Sequence, residues 1–403
     1  MLAIVTTHPI QYQLPLWQAL ARDTDVPFEV WYLTSHATGL SLDQQFGKSF
    51  AWDLEMLSGY PHRFLKTAPG ATPNTFWRCR FDEPFTPLLS GHKVKAVWIQ
   101  GWQVAGYWQA VWAAKAAGAE VWLRGESNDL APAPLWKALV KRLVVAQLFR
   151  RVDRFLYIGS ANRRLYRNFG IAEEKLYPAP YAVDNERFAR QAKALRSQRS
   201  GIRNEWNIPE DAFCVLFCGK FIPKKRPLDL VRAVQHLEHR AEGRKIHLLF
   251  VGSGELGLEL RGGCNVVFDA ENLQVTSDFR PATPKGCKPS ASFTGFLNQT
   301  EISRAYVAAD VLVLPSDHGE TWGLVVNEAM ASGLPCIISD HCGCAPDLGR
   351  LNCNRTFDCG DINELLKQLR EATTTLRSME SGIEELPSIA QTVATIASSY
   401  HEI

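Results

Sequence analysis

Uninterrupted apolar runs of a few residues alternate with amphipathic stretches along most of this chain. Runs at 2–6, 28–33, 96–100, 120–123 and 154–159 each end at Gly, Pro or polar residues, and the pattern returns at 213–218, 246–251, 311–314 and 336–339. Such short runs predict strands buried on both faces of a parallel sheet. Between them apolar residues recur at helical spacing, with Pro15 placed for the first turn of one helix and Asp361 for the cap of another. Strands and helices in alternation predict an α/β fold with doubly wound parallel sheets. Three stretches break the rhythm. Residues 35–86, rich in Pro, Gly and aromatics, predict a loop-rich excursion; the basic, polar and helical 189–204 predict a linker; the Pro- and Gly-rich 264–290 predict a surface insertion.

Residues 309–335, ADVLVLPSDHGETWGLVVNEAMASGLP, form the most informative unit. A strand runs to Pro315, a polar loop follows, and a helix over 323–331 is closed by Gly333 and stopped by Pro335. The loop lies at a strand's carboxyl end, where open α/β sheets bind ligands. Glu320 precedes the helix and Glu328 lies within it; eight helical residues rise about 12 Å, the length of a diphosphate with a sugar ring at each end. The amides of Thr321, Trp322, Gly323 and Leu324 head that helix and favour an anion. Taken alone, the two acids also fit an ordinary helix charge and a solvated surface residue.

The run Gly219-Lys220-Phe221-Ile222-Pro223-Lys224-Lys225-Arg226-Pro227 leaves another strand end. Its cations are able to meet charge growing on a departing diphosphate, although a basic loop is more often simply solvated. Gly252 to Gly257 is a literal G-x-G-x-x-G, yet Arg261-Gly262-Gly263 interrupts the long helix that a dinucleotide fingerprint needs. Asp23-Thr24-Asp25 reads as turn chemistry, and His341, Cys342, Cys344 and Cys353 lack the paired C-x2-C spacing of a closed zinc site. No metal is expected.

Length and composition narrow the class. At 403 residues the chain is expected to split into two domains, and 46% apolar with 21% charged residues is globular composition. A net charge of +2 argues against a nucleic-acid binder. Ten Cys do not make a disulfide scaffold. There is no basic leader and no uncharged run of about 20 apolar residues, so a cytoplasmic location is expected. Residues 131–170 carry nine basic residues and one acidic. There Trp136, Leu139, Val140, Leu143 and Val144 recur at helical spacing with Lys137 and Lys141 on another side. That pattern fits either contact with an anionic membrane surface or a solvated face. Trp98, Trp108, Trp112 and Trp122 sit in apolar patterns and are expected in the core.

The strand ending in Pro315-Ser316, then Glu320, Trp322-Gly323 and Glu328-Ala329-Met330-Ala331, resembles the E-x7-E signature of retaining family-4 glycosyltransferases (glycosyl transferases group 1) with the GT-B fold. The likeness covers most of the chain and is strongest after residue 175. It implies two Rossmann-like domains facing each other across a cleft: 1–188 for the acceptor, 189–385 for the nucleotide-sugar donor, with 386–403 crossing back to the first. By the same resemblance Glu320 meets a donor-sugar hydroxyl and Glu328 the ribose, while Lys220 and Lys225 neutralise the diphosphate. Gly254, Phe296 and Leu297 line the nucleotide pocket. Arg226 stands where the family usually has Gly. The family's glycine-rich first loop is absent; His8 and Gln11 stand there instead, His8 either lining the acceptor pocket or capping the helix. Arg124 and Glu126 stand where many relatives place a His, as acceptor-side candidates or as a structural salt bridge.

The implied activity is retaining, metal-independent transfer from a nucleotide-sugar, UDP favoured over GDP, with no cofactor. Its acceptor would be a glycan or lipid-linked molecule of cell-surface polysaccharide or lipopolysaccharide synthesis, reached from the inner face of the membrane. A nucleotide-sugar epimerase, an NAD-dependent oxidoreductase and a membrane-associated scaffold are the competing readings.

Overall fold

The computed structural model describes all residues except 37–38, 40, 44–47, 74, 129–134, 239–244, 273–287, 352 and 376–384. The chain divides into two compact units: Met1–Ser41, Phe50–Val183 and Pro387–Ile403 form the first, Leu42–Ser49 and Asp184–Leu386 the second.

Strands β1 (Leu2–Thr6) and β2 (Phe28–Tyr32) are followed by a separate two-stranded ribbon, β3 (Ser41–Asp43) with β4 (Lys48–Phe50). Next come β5 (His62–Phe64), β6 (Ala96–Ile99), β7 (Glu120–Leu123), β8 (Arg154–Tyr157) and β9 (Leu176–Pro178). The seven-stranded sheet of the first unit has the order β5-β2-β1-β6-β7-β8-β9. Its pairings are parallel, with Leu2 opposite Phe28 on one side and Ala96 on the other. The period of two explains the unbroken apolar runs: Leu2 and Ile4 pack with Trp98 and Trp122, whereas Ala3 and Val5 pack with Val97 and Ile99 in a second cluster. The helix Ile389–His401 opens on a capping box of Ser388 and Gln391. It buries Val393, Ile396 and Tyr400 in the first unit's core.

In the second unit β10 (Phe213–Cys218), β11 (Ile246–Val251), β12 (Asn265–Asp269), β13 (Ser290–Gly295), β14 (Val311–Leu314), β15 (Cys336–Ser339) and β16 (Arg355–Phe357) form a sheet of order β12-β13-β11-β10-β14-β15-β16. It too is parallel, and β10, at its centre, lies between β11 and β14. Both seven-stranded sheets therefore carry their βα loops on the carboxyl edge, where the candidate residues cluster.

Four expectations are corrected. Residues 189–204 are no linker: the helices Asn185–Leu195 and Arg199–Glu205 belong to the second unit, and Arg199 and Arg203 both clasp Asp310 at 2.8 Å. Polarity misled because those arginines point inward. The expected insertion at 264–290 begins with β12, an edge strand paired to β13; residues 273–287 lie outside the described part. Trp112 is 42% exposed, stacked on Trp108, while Arg151 lies 4.5 Å from its ring. Its helix, Ala105–Ala116, is apolar nearly all round, so pattern alone gave no outward face. Lastly, His8 caps no helix: Leu14–Asp23 starts after Gln13 without a side-chain cap, and His8 Nδ1 bonds Thr7 Oγ1 at 2.9 Å.

Residues 135–149 do form a helix, Leu135–Phe149, with Val145, Leu148 and Phe149 buried and Leu143 and Val144 exposed. The side chains of Trp136, Lys137, Leu139, Val140 and Lys141 lie outside the described part. No helix among the described residues is long and apolar enough to cross a membrane.

Candidate active site

Three strand ends of the second unit build the site. At the end of β10 the chain turns at Gly219 (φ 148°) and enters a short 3-10 turn, Pro223–Lys225, which closes with Arg226 at φ 48°. A left-handed residue there explains why a glycine is easily accommodated at that position. Arg226 itself is spent locally, its Nε 2.6 Å from Asp229. Lys224 follows the other wall: its carbonyl accepts from the Asp317 amide at 2.8 Å, and its Nζ lies 3.5 Å from the Gly319 carbonyl.

Lys225 reaches Glu320 in a direct ion pair, although 95 residues separate them. Their side chains keep 17% and 14% exposure, so the pair is largely withdrawn from water. Burial would lower the Lys225 pKa, but the Glu320 carboxylate outweighs it and holds the ammonium above its ordinary value. Ser316 Oγ, 3.3 Å away, hydrogen-bonds the same Glu320 oxygen, and the Glu320 carbonyl accepts from the Gly343 amide at 3.0 Å. A Cβ on Gly343 would sit 1.8 Å from the Thr321 carbonyl oxygen, so the loop after β15 must approach as bare backbone.

Gly323 (φ 106°) opens the helix Leu324–Ala331, and the Gly323 and Leu324 amides lie in the turn that has no intrahelical acceptor. Trp322 is buried, its indole N–H donating to Asn327 Oδ1 at 2.9 Å. Glu328 is only 3% exposed, so it is no solvated surface charge, and it accepts a 2.5 Å hydrogen bond from the Tyr306 hydroxyl. Burial pushes the neighbouring Cys218 thiol up to about 12, leaving it neutral. Sequence reasoning missed Ser316, Tyr306 and the His318–His341 pair, whose rings stack 3.6 Å apart beyond β14 and β15. Only folding brings those positions together.

The glycines after β11 serve backbone packing. A Cβ on Gly252 (φ 126°) would lie 2.0 Å from the Gly219 carbonyl oxygen, and one on Gly254 (φ 151°) 2.7 Å from that of Phe221. The helix that follows, Gly257–Gly263, has seven residues, too short for the dinucleotide fingerprint. Phe296 and Leu297 are half-buried just past β13. Lys220 is half-buried at the end of β10. Among the described residues no three His, Cys, Asp or Glu side chains converge as a metal-ligand set.

The acceptor-side candidates lie on the carboxyl edge of the first sheet. His8 rests edge-on against His36 with 5.3 Å between centroids. Burial, then His36, lowers its pKa to about 4, so it is neutral at pH 7. Gln11 is half-buried in the same loop. Arg124 is 2% exposed and forms no ion pair with Glu126; instead it lies 4.8 Å from the Tyr181 ring, while Glu126 accepts the Tyr181 hydroxyl at 2.7 Å.

Residues 198–375 match the family described as Glycosyl transferases group 1. The D-inositol 3-phosphate glycosyltransferase of Nocardia farcinica is 27% identical over 212 residues, 52% of this chain and 42% of that protein. The sulfoquinovosyl transferase SQD2 of Arabidopsis thaliana is 31% identical over 194 residues, 47% of this chain and 31% of that protein. The matches thus span less than half of either relative's own length. Anabaena HepE, solved in complex with UDP and glucose, superposes with a TM-score of 0.65 over 100% of this chain and 99% of that one, at 14% identity. From the matched region and the two parallel sheets, residues 198–375 resemble the glycosyl transferases group 1, and the chain has the GT-B fold.

Proposed function

We propose that this protein is a glycosyltransferase that moves a sugar from a nucleotide-sugar, most readily a UDP-sugar, to a glycan or lipid-linked acceptor. The observation that carries the reading is the withdrawn Lys225–Glu320 pair beside the head of the helix Leu324–Ala331. A diphosphate arriving there competes for the Lys225 ammonium. As it takes that cation, Glu320 is released to receive a sugar hydroxyl. Lys220, Lys225 and the Gly323 and Leu324 amides then stabilise charge that grows on the departing diphosphate. Glu328, fixed by Tyr306, holds the ribose, and Gly254, Phe296 and Leu297 border the base. In this scheme Glu320 orients the sugar instead of attacking it, configuration is retained, and no metal takes part.

The second unit serves the donor and the first, with His8, Gln11, Arg124 and Glu126, the acceptor. Exposed Leu143 and Val144 on the helix Leu135–Phe149, in a basic region, support resting on an anionic membrane on the cytoplasmic side, where lipid-linked precursors of surface polysaccharide are built. The test is release of nucleoside diphosphate from a panel of UDP-, GDP- and ADP-sugars, with and without lipid-linked acceptors. Release by the parent that vanishes in Glu320→Ala and Lys225→Ala is the expected result. Equal rates in both variants would refute the assignment. Interconversion of the donor sugar without acceptor would identify an epimerase instead.

A further inference from the structure

Among the described residues four arginines are buried, and three are saturated. Arg203 donates to Asp310 and to four backbone carbonyls. Arg261 pairs with Asp269 and Glu271, and Arg154 with Glu120 and Glu402. Arg124, just beyond β7, differs. It is 2% exposed, its Nε is enclosed without an acceptor, and the described residues give it neither a hydrogen bond nor an ion pair. Its one close neighbour of note is the Tyr181 ring, a contact far weaker than a carboxylate. The nearest acid, Glu126, is engaged at the Tyr181 hydroxyl, so the phenol takes the cation on its face and the carboxylate at its edge. A buried cation without a direct ion pair is costly, and the Tyr181 face with the more distant Glu126 charge offsets only part of that cost.

The turn that carries Arg124 is also held rigid. The Gly125 amide donates to the Tyr166 hydroxyl at 3.0 Å. The carbonyls of Gly125 and Ser127 accept from Asn162 Nδ2 at 3.0 and 2.6 Å, and Asn162 Oδ1 accepts from the Ile158 amide at 3.1 Å. Tyr166 and Asn162 are themselves buried. On the other side Trp102 lies so close that a Cβ on Gly125 would meet its ring at 2.2 Å. His8, Trp102 and Arg124 follow β1, β6 and β7, which are neighbours in the sheet, so the guanidinium stands on the ligand-binding edge. A planar donor fork on a braced turn, given no acceptor by the described residues, suits a two-oxygen anion.

We propose that Arg124 is an oxyanion-recognition site, and that the acceptor glycosylated by this enzyme carries a carboxylate or a phosphate which the guanidinium grips. The proposal rests on the glycosyltransferase reading for its word "acceptor", but the anion site stands on the first unit alone. Glucuronate and glucose 6-phosphate are the probes, titrated calorimetrically in a Lys220→Ala, Lys225→Ala background so that the lysines proposed to meet the diphosphate do not contribute. At least one probe binds, and adding Arg124→Gln weakens it about tenfold or more; the preferred probe tells carboxylate from phosphate. Arg124→Lys, which keeps the charge and loses the fork, gives a smaller loss and decides the question if the Gln variant does not fold. A purely structural arginine would instead lower the melting temperature on replacement and leave anion affinity unchanged. That outcome, a smaller loss in Arg124→Gln, unchanged affinity in Arg124→Lys, or no binding of either probe at millimolar concentration overturns the proposal. No nucleotide-sugar enters the titration, so failure to transfer sugar would count against the proposed function and leave this result intact.

Discussion

Removing either partner of the Lys225–Glu320 pair should destabilise the second unit, and removing both should cost less than the sum. At an effective dielectric of about 20 and a contact of about 3 Å, the Coulomb attraction is about 5 kcal/mol. Desolvation of both ions opposes it, and breaking a fully buried pair by deleting one member costs about 3–5 kcal/mol. Because each side chain keeps about a sixth of its surface in water, screening trims this to about 2–3 kcal/mol for Lys225→Ala or Glu320→Ala. The double variant leaves no orphaned charge, so the coupling energy should be about 1–2 kcal/mol. Urea unfolding of the four proteins, followed by far-ultraviolet dichroism, measures it through the midpoints at constant slope. Additivity within about 0.5 kcal/mol would mean that the two charges do not feel each other, and would refute the electrostatic picture of the site.

Other expectations are smaller in scope. Gly252→Ala places a Cβ 2.0 Å from the Gly219 carbonyl oxygen at φ 126°; it should cost at least about 2 kcal/mol and lower the melting temperature, whereas an unchanged value would contradict the close approach of the two turns. Tyr306→Phe removes the hydroxyl that fixes Glu328 and should weaken nucleotide binding about tenfold by calorimetry, the effect of about 1.4 kcal/mol. His247 is wholly buried between Ser290 and Ser292, and burial, then Arg203, lowers its pKa from 6.5 to about 4. The unfolded chain therefore takes up a proton first, and stability present above pH 6.5 is lost as the pH falls toward about 4, by about 3 kcal/mol. In His247→Gln the difference between urea midpoints at pH 7 and pH 4.5 should shrink; an equal difference would exclude His247 as its source.

The strands and the core were legible because parallel sheets buried on both faces write themselves as short apolar runs, such as Val311–Leu314. The strand-loop-helix around Glu320 was equally local, with Gly323, Gly333 and Pro335 marking its limits. What spacing could not reveal were meetings across the sheet. Lys225 and Glu320 came together in the sequence only through the family resemblance, since at a sequence separation of 95 no local pattern brings them close. Arg203, read as part of a polar linker, proved wholly buried because Asp310 and a ring of carbonyls receive it. β12 was hidden because Asn265–Asp269 is an edge strand with Val266 and Val267 partly exposed, which reads as a surface segment. Arg124 read equally as an acceptor-side residue or as half of a salt bridge, and its lack of an ion pair with Glu126 emerged only from where Glu126 and Tyr181 point.

The central claim, that one site of the second unit grips the diphosphate of a nucleotide-sugar through Lys225 and Glu320, is tested most directly by thermal shift against a panel of nucleotides and nucleotide-sugars. A native-state ligand at a hundred times its Kd adds about 2.7 kcal/mol, a rise of several degrees. The account predicts that at least one UDP-sugar gives this rise in the parent protein and none in the Lys225→Ala, Glu320→Ala double variant. No rise with any nucleotide, or an equal rise in the double variant, would contradict it.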